Sequence, residues 1–207
     1  DTEVKKKGTE ELFVSNGEFL RFFFSNILLA KPHNAGMNYL WTDAIPTHRV
    51  VVVEWLLGND RRTGTELVDA AARFRFPRNL LELHRCRTRS DVLDGIARNE
   101  LEVPSRGVPI LHIEAHGVPG VNGGFAAGSE QLTWGDLRAP LSALNVATRF
   151  NLLVVGASCY GDGPLWALGA ELAPAPFIGC VGFSREIEPG CLLRAMTEFY
   201  RGLIVRG

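Results

Sequence analysis

The chain has 207 residues, 46% hydrophobic and 22% charged, with 22 Lys+Arg against 23 Asp+Glu for a formal net charge of −1. That length suits one compact domain with a small extension, and the composition excludes a disordered chain. With a sequence pI of about 6.6 there is no global basic field, so direct binding to nucleic acid is not expected. Cys86, Cys159, Cys180 and Cys191 show no CxxC spacing, which points to reduced thiols in a cytoplasmic protein rather than to a disulfide framework.

Residues 1–45 read as an N-terminal extension packing on the core, and 46–207 as the main domain. The chain opens at Asp1 without a methionine, as expected of a piece of something longer. Phe19 to Ala30 is the longest apolar stretch near the start, interrupted by Arg21, Ser25 and Asn26. It is shorter than the roughly 20 residues of a membrane span, and its flanks do not fit a signal peptide. The spacing of Phe19, Phe22, Phe23 and Ile27 predicts an amphipathic helix facing the core.

From there strands and helices alternate. HRVVVVEWLL (48–57) is a β-branched run suited to a buried parallel strand. A helix is expected over 63–74, stopped by Pro77, then a short strand over 79–84. Ser90 is expected to cap a helix over 90–98 whose apolar face is Val92, Leu93 and Ile96. VPILHIEA (108–115) is a further strand, running into the glycine-rich loop GVPGVNGGFAAG. Thr133 then caps a helix carrying Trp134, Leu137, Leu141 and Leu144, with a kink or break expected at Pro140. A strand at 151–157, a helix at 164–172, a strand at 177–183 and a helix at 190–203 complete the pattern. Alternation of this kind specifies an α/β sandwich around a mostly parallel sheet.

In such sheets ligands bind outside the carboxyl ends of the strands. One strand end delivers His116-Gly117, and another delivers Cys159. If those strands are neighbours, a histidine and a thiol share one crevice, as nucleophilic thiol catalysis requires. Cys180, inside an apolar strand, and Cys191, on a helix, read instead as small buried hydrophobes. All five histidines precede Cys159, which excludes the papain-like order and that of the α/β-hydrolases. The sequence ASCYG around Cys159 also lacks the first glycine of a nucleophile elbow. Histidine followed about 50 residues later by cysteine is the caspase order.

ILHIEAHG, LTWGDL, LLVVGASCYGDG and the closing GFSREI…MTEFYRGL together resemble the CHAT family of caspase-like (clan CD) cysteine proteases, over roughly residues 108–203. The resemblance implies a caspase-like three-layer α/β/α sandwich and an endopeptidase acting on protein or peptide substrates. It implies a His116/Cys159 dyad and an oxyanion hole from the main-chain N–H groups of Gly117 and Cys159. It implies no cofactor, and a regulatory or sensor domain or subunit as partner. The family usually reads Ser-Ala-Cys where this chain has Ala157-Ser158-Cys159, a change in the wall of the substrate pocket. Caspases place a glutamine, and metacaspases an aspartate, where Ala157 stands, so any charge preference must come from Asp162, Arg185, Glu186 or Glu188.

Other signals carry less. His112, Glu114 and His116 alternate along one strand and could imitate a metal triad, but ligands on one straight strand rarely close a tetrahedron. No metal is therefore expected. The glycine-rich loop lacks the GK[ST] ending of a phosphate loop. Six arginines between Arg73 and Arg89 suit a solvated rim or a docking surface better than an RNA site. Two rival readings stand beside the protease: a catalytically degenerate caspase-like module that binds partners, and a flavodoxin-like nucleotide-binding domain in which Cys159 is incidental.

Overall fold

In a computed structural model, residues 9–14, 18–24, 47–73, 80–120, 122–163 and 175–205 are described. Val50 to Val53 are all buried in strand β3 (Arg49–Glu54), as a strand covered on both faces requires. β4 (Leu81–Arg85) and β5 (Pro109–Glu114) flank it in parallel. β9 (Leu153–Ala157) pairs in parallel with β5, and β10 (Gly179–Gly182) in parallel with β9. β2 (Glu18–Phe24) and β1 (Thr9–Val14) extend that side as an antiparallel pair. The resulting seven-stranded sheet runs β1-β2-β10-β9-β5-β3-β4. Its chain order reverses between β3 and β5, the switch point at which such sheets open a crevice.

Alternate residues of each strand face opposite helix layers. Val51, Val53, Leu111, Ile113 and Val154 pack beneath α2 (Arg89–Arg106) and α3 (Trp134–Ala147), which contribute Val92, Ile96, Leu137, Leu141 and Leu144. Val50, Val52, Ile110 and Val155 pack beneath α1 (Thr63–Arg73) and α4 (Pro189–Val205), through Leu67, Met196, Phe199 and Tyr200. The protein is thus mixed α/β, with helices on both faces of a mainly parallel sheet. Among the described residues no helix is long and apolar enough to cross a membrane.

Several elements differ from the sequence reading. Of the helix expected over 19–30, residues 19–24 instead lie in β2 and the rest lies outside the described residues; a phenylalanine-rich run suits either period, and the main chain of β2 finds partners on both sides in β1 and β10. The glycine-rich loop contributes to two strands: β6 (His116–Val118) and β7 (Gly124–Ala127), with the following β8 (Glu130–Thr133), make a separate antiparallel sheet. α2 is capped by Thr88, not Ser90, in a reciprocal capping box with Asp91, and it continues to Arg106. α3 runs unbroken through Pro140 to Ala147. The helix expected at 164–172 lies outside the described residues.

Candidate active site

The strands end where the candidate groups emerge. β5 stops at Glu114, Ala115 is buried, and the chain leaves the large sheet to begin β6 at His116. His112, Glu114 and His116 therefore do not share one face, which corrects the alternation read along this segment. His112 and Glu114 are buried under α1 and α4, whereas the His116 side chain is 59% exposed. Among the described residues no group of three or more His, Cys, Asp or Glu side chains is gathered to hold a metal ion.

Gly117 brings the two strand ends together. Its main chain rests directly on that of Cys159: a Cβ at residue 117 would lie only 3.0 Å from Cys159 Cα and would overlap the Cys159 carbonyl. Only glycine permits this approach. Gly117, the residue after His116, thus abuts the half-buried Cys159, and no hydrogen bond joins the His116 and Cys159 side chains. The Ile187 main-chain N–H donates to Cys159 Sγ at 3.4 Å, and the Cys159 thiol in turn lies 3.8 Å from the Ile187 carbonyl. No described group accepts the Cys159 main-chain N–H, which leaves that donor available to an oxyanion. The turn beyond is tight: Tyr160 holds φ at 54°, and its N–H reaches the Arg185 carbonyl at 3.3 Å.

His116 has a partner that sequence reasoning missed. Its Nε2 lies 3.2 Å from Asp60 Oδ2, in the loop after β3, and the same oxygen accepts the Leu57 N–H at 2.7 Å. Burial pulls the Asp60 carboxyl upward, but the Leu57 and His116 hydrogen bonds outweigh it and hold the group below the usual aspartate value. Asn59-Asp60 reads as an ordinary turn. The signal that finds it is positional, since β3 and β5 pair in parallel through Glu54↔Glu114 and end side by side.

The substrate-facing candidates separate by depth. Arg185, Glu186 and Glu188 are exposed on the 184–188 segment, whose Ile187 touches Cys159. Ala157 is fully buried and Asp162 is 4% exposed. The Cys180 thiol is raised chiefly by burial and then by the nearby Asp162 carboxyl.

Beneath the switch point lies a second set of charges. Glu54 is buried yet well satisfied: its carboxylate accepts the Thr65 N–H at 2.8 Å, at the positive end of α1, and Arg62 at 3.3 Å. Glu114 beside it is pushed above the usual glutamate value, chiefly by burial. His112 Nε2 lies 3.6 Å from Glu114, and its Nδ1 lies 2.9 Å from the Tyr200 hydroxyl. His112 is therefore a hydrogen-bonded core histidine.

No known protein-family model, no curated protein and no solved structure matches this chain. Fold and site define an α/β protein with a half-buried thiol and a carboxylate-paired histidine at adjacent ends of parallel strands.

Proposed function

We propose that the chain is a cysteine endopeptidase of the caspase-like type, with Cys159 as nucleophile and His116 as the group that moves the proton. The observation that supports this reading is the contact of Gly117, the residue after His116, with the Cys159 main chain. In the proposed reaction the thiolate forms a C–S bond to the scissile carbonyl, and the oxyanion is met by main-chain N–H groups. Protonated His116 then releases the amine, and water, deprotonated by the same imidazole, hydrolyses the thioester. Asp60 holds the ring in place.

A nucleotide-binding reading is less well supported. The N-terminus of α1, where a phosphate would sit at the switch point, already holds Glu54, and Glu114 adjoins it. Against a degenerate binding module stand the intact His116/Cys159 pair and the available Cys159 N–H.

Cleavage of a peptide library by the wild type, abolished in Cys159→Ala, is the expected result. Absence of cleavage together with failure of a thiol-directed peptide probe to label Cys159 would overturn the assignment. Specificity follows from the rim. Ala157 offers no polar group, while Glu186 and Glu188 outnumber Arg185 among the exposed charges, so Arg or Lys is favoured over Asp at the cleaved position. A true aspartate pocket would give at least about a tenfold preference. Fluorogenic peptides ending in Asp, Arg, Lys and Leu, compared at equal concentration, would reveal it.

A further inference from the structure

The sheet is unequally finished at its two ends. One end is closed by the β1–β2 pair, but β4 is terminal and has no outer partner among the described strands. Val50 donates to the Leu80 carbonyl, and Cys86 donates to the Glu54 carbonyl. Even-numbered residues of β4 therefore turn their main chain toward β3, while Leu81, Leu83 and Arg85 turn theirs outward. No described group bonds those outward N–H and C=O groups. Natural sheets seldom leave such an edge open without covering or using it.

Along this edge, between β4 and α2, runs a groove of about 440 Å³ whose lining includes His84, Arg87, Asp94, Gly95 and Arg98. Arg87 and Arg98 form no ion pair with any described residue. Asp91 is occupied, its carboxylate accepting the Arg87 and Thr88 N–H groups at 2.7 and 2.9 Å. It keeps its charge all the same, so Asp91 and Asp94 together oppose Arg85, Arg87 and Arg98, which outnumber them by one along the groove. Gly95 is an anomaly, because glycine inside a helix costs about 1 kcal/mol relative to alanine. A Cβ there would meet nothing within 4 Å, so packing does not require the glycine. What it leaves is open space in the groove. On the opposite face of β4, Leu81 and Leu83 are only partly buried against the core beneath α1.

We infer that β4 and α2 form a docking groove for an extended peptide segment of a partner protein, added to the sheet as an edge strand. Main-chain bonds to Leu81, Leu83 and Arg85 supply the attachment. Alternate side chains of the segment reach opposite faces. Acidic ones lie on the α2 side against Arg87 and Arg98, and apolar ones cover Leu81 and Leu83. A second copy of this chain, paired edge to edge, is the competing occupant, and the test separates it. The groove does not involve His116 or Cys159, so this inference stands or falls apart from the protease reading.

Amide hydrogen exchange on the full chain tests it. An acetylated octapeptide of alternating Val and Glu, at millimolar concentration, is expected to slow exchange at Leu81, Leu83 and Arg85. The Lys-for-Glu peptide should bind at least about tenfold more weakly. Arg87→Glu with Arg98→Glu, both at exposed positions, should weaken the Glu peptide by a similar factor, and Gly95→Leu should block it by filling the groove. No added protection at the three amides would overturn the inference, as would equal protection by the Lys peptide or an undiminished effect in the charge-reversed variant. Protection by an oligouridylate but not by the peptide would overturn it in favour of RNA. Concentration-dependent protection of the free chain would overturn it in favour of self-association.

Discussion

Cys159 lies just past the end of β9 and Cys180 within the neighbouring strand β10, and they meet different surroundings. Cys159 is half-buried beside a main-chain N–H, whereas Cys180 is fully buried and its thiol is pushed up by burial and then by Asp162. Cys86 is raised to about 11, again mainly by burial. Only a thiolate alkylates well, so iodoacetamide near neutral pH is expected to modify Cys159 well ahead of Cys86 and Cys180. Peptide mapping checks this, and equal labelling would count against the nucleophile. The two histidines diverge in the same way. His116→Ala should reduce turnover by about 10²- to 10⁴-fold with little change in stability, because the ring is exposed. His112→Ala should cost about 1–3 kcal/mol of stability, since it strands the buried Tyr200 hydroxyl and Glu114. Paired urea titrations and activity assays separate these outcomes. Asp60→Asn is expected to lower kcat by up to about 10²-fold through misorientation of His116, leaving KM unchanged and with rescue by Asp60→Glu.

The elements show where local pattern was enough. β3, β5 and β9 were legible because β-branched runs buried on both faces leave little alternative. α2 was legible only in its first turns. Past Ile96 its apolar pattern fades, Leu101 being 81% exposed. The last turns are held by ions, with Arg49 of β3 3.2 Å from Glu102 and Arg106 paired with both Glu102 and Glu82 of β4. Two of those partners, Arg49 and Glu82, lie outside any window of α2. The start of α1 depends in the same way on remote carboxylates. A Cβ at Gly64 would stand 2.7 Å from Glu114 Oε2 and 3.1 Å from Glu54 Oε2. Alanine is the better helix former by about 1 kcal/mol, yet overpacking costs typically 1–3 kcal/mol. Gly64→Ala is therefore expected to destabilise the fold, and a lowered urea midpoint with unchanged slope would show it.

At the scale of the whole molecule, Glu114 couples folding to pH. Its folded value lies above the ordinary 4.5 because burial favours the neutral acid. The native state then holds a proton that the unfolded chain has released, so this contribution is complete below about 4.5 and fades as pH rises through the folded value. Asp60, held low, contributes in the opposite direction and is lost on acidification. Glu114→Gln should therefore gain stability relative to the wild type as pH rises above about 4.5, with the difference vanishing in acid. Urea midpoints across a pH series test this, and a pH-independent difference would refute it. The sequence by itself determined an α/β protein with a mainly parallel sheet, and placed a histidine and a cysteine at strand ends. Both follow from periodicities of a few residues, which local sterics and burial impose. Only the tertiary structure decided that Asp60 meets His116, that Gly117 rests on Cys159, that two glutamates share the start of α1, and that residues 18–24 pair as a strand. Each depends on which segments become neighbours, and that choice is made by contacts between residues far apart in the chain.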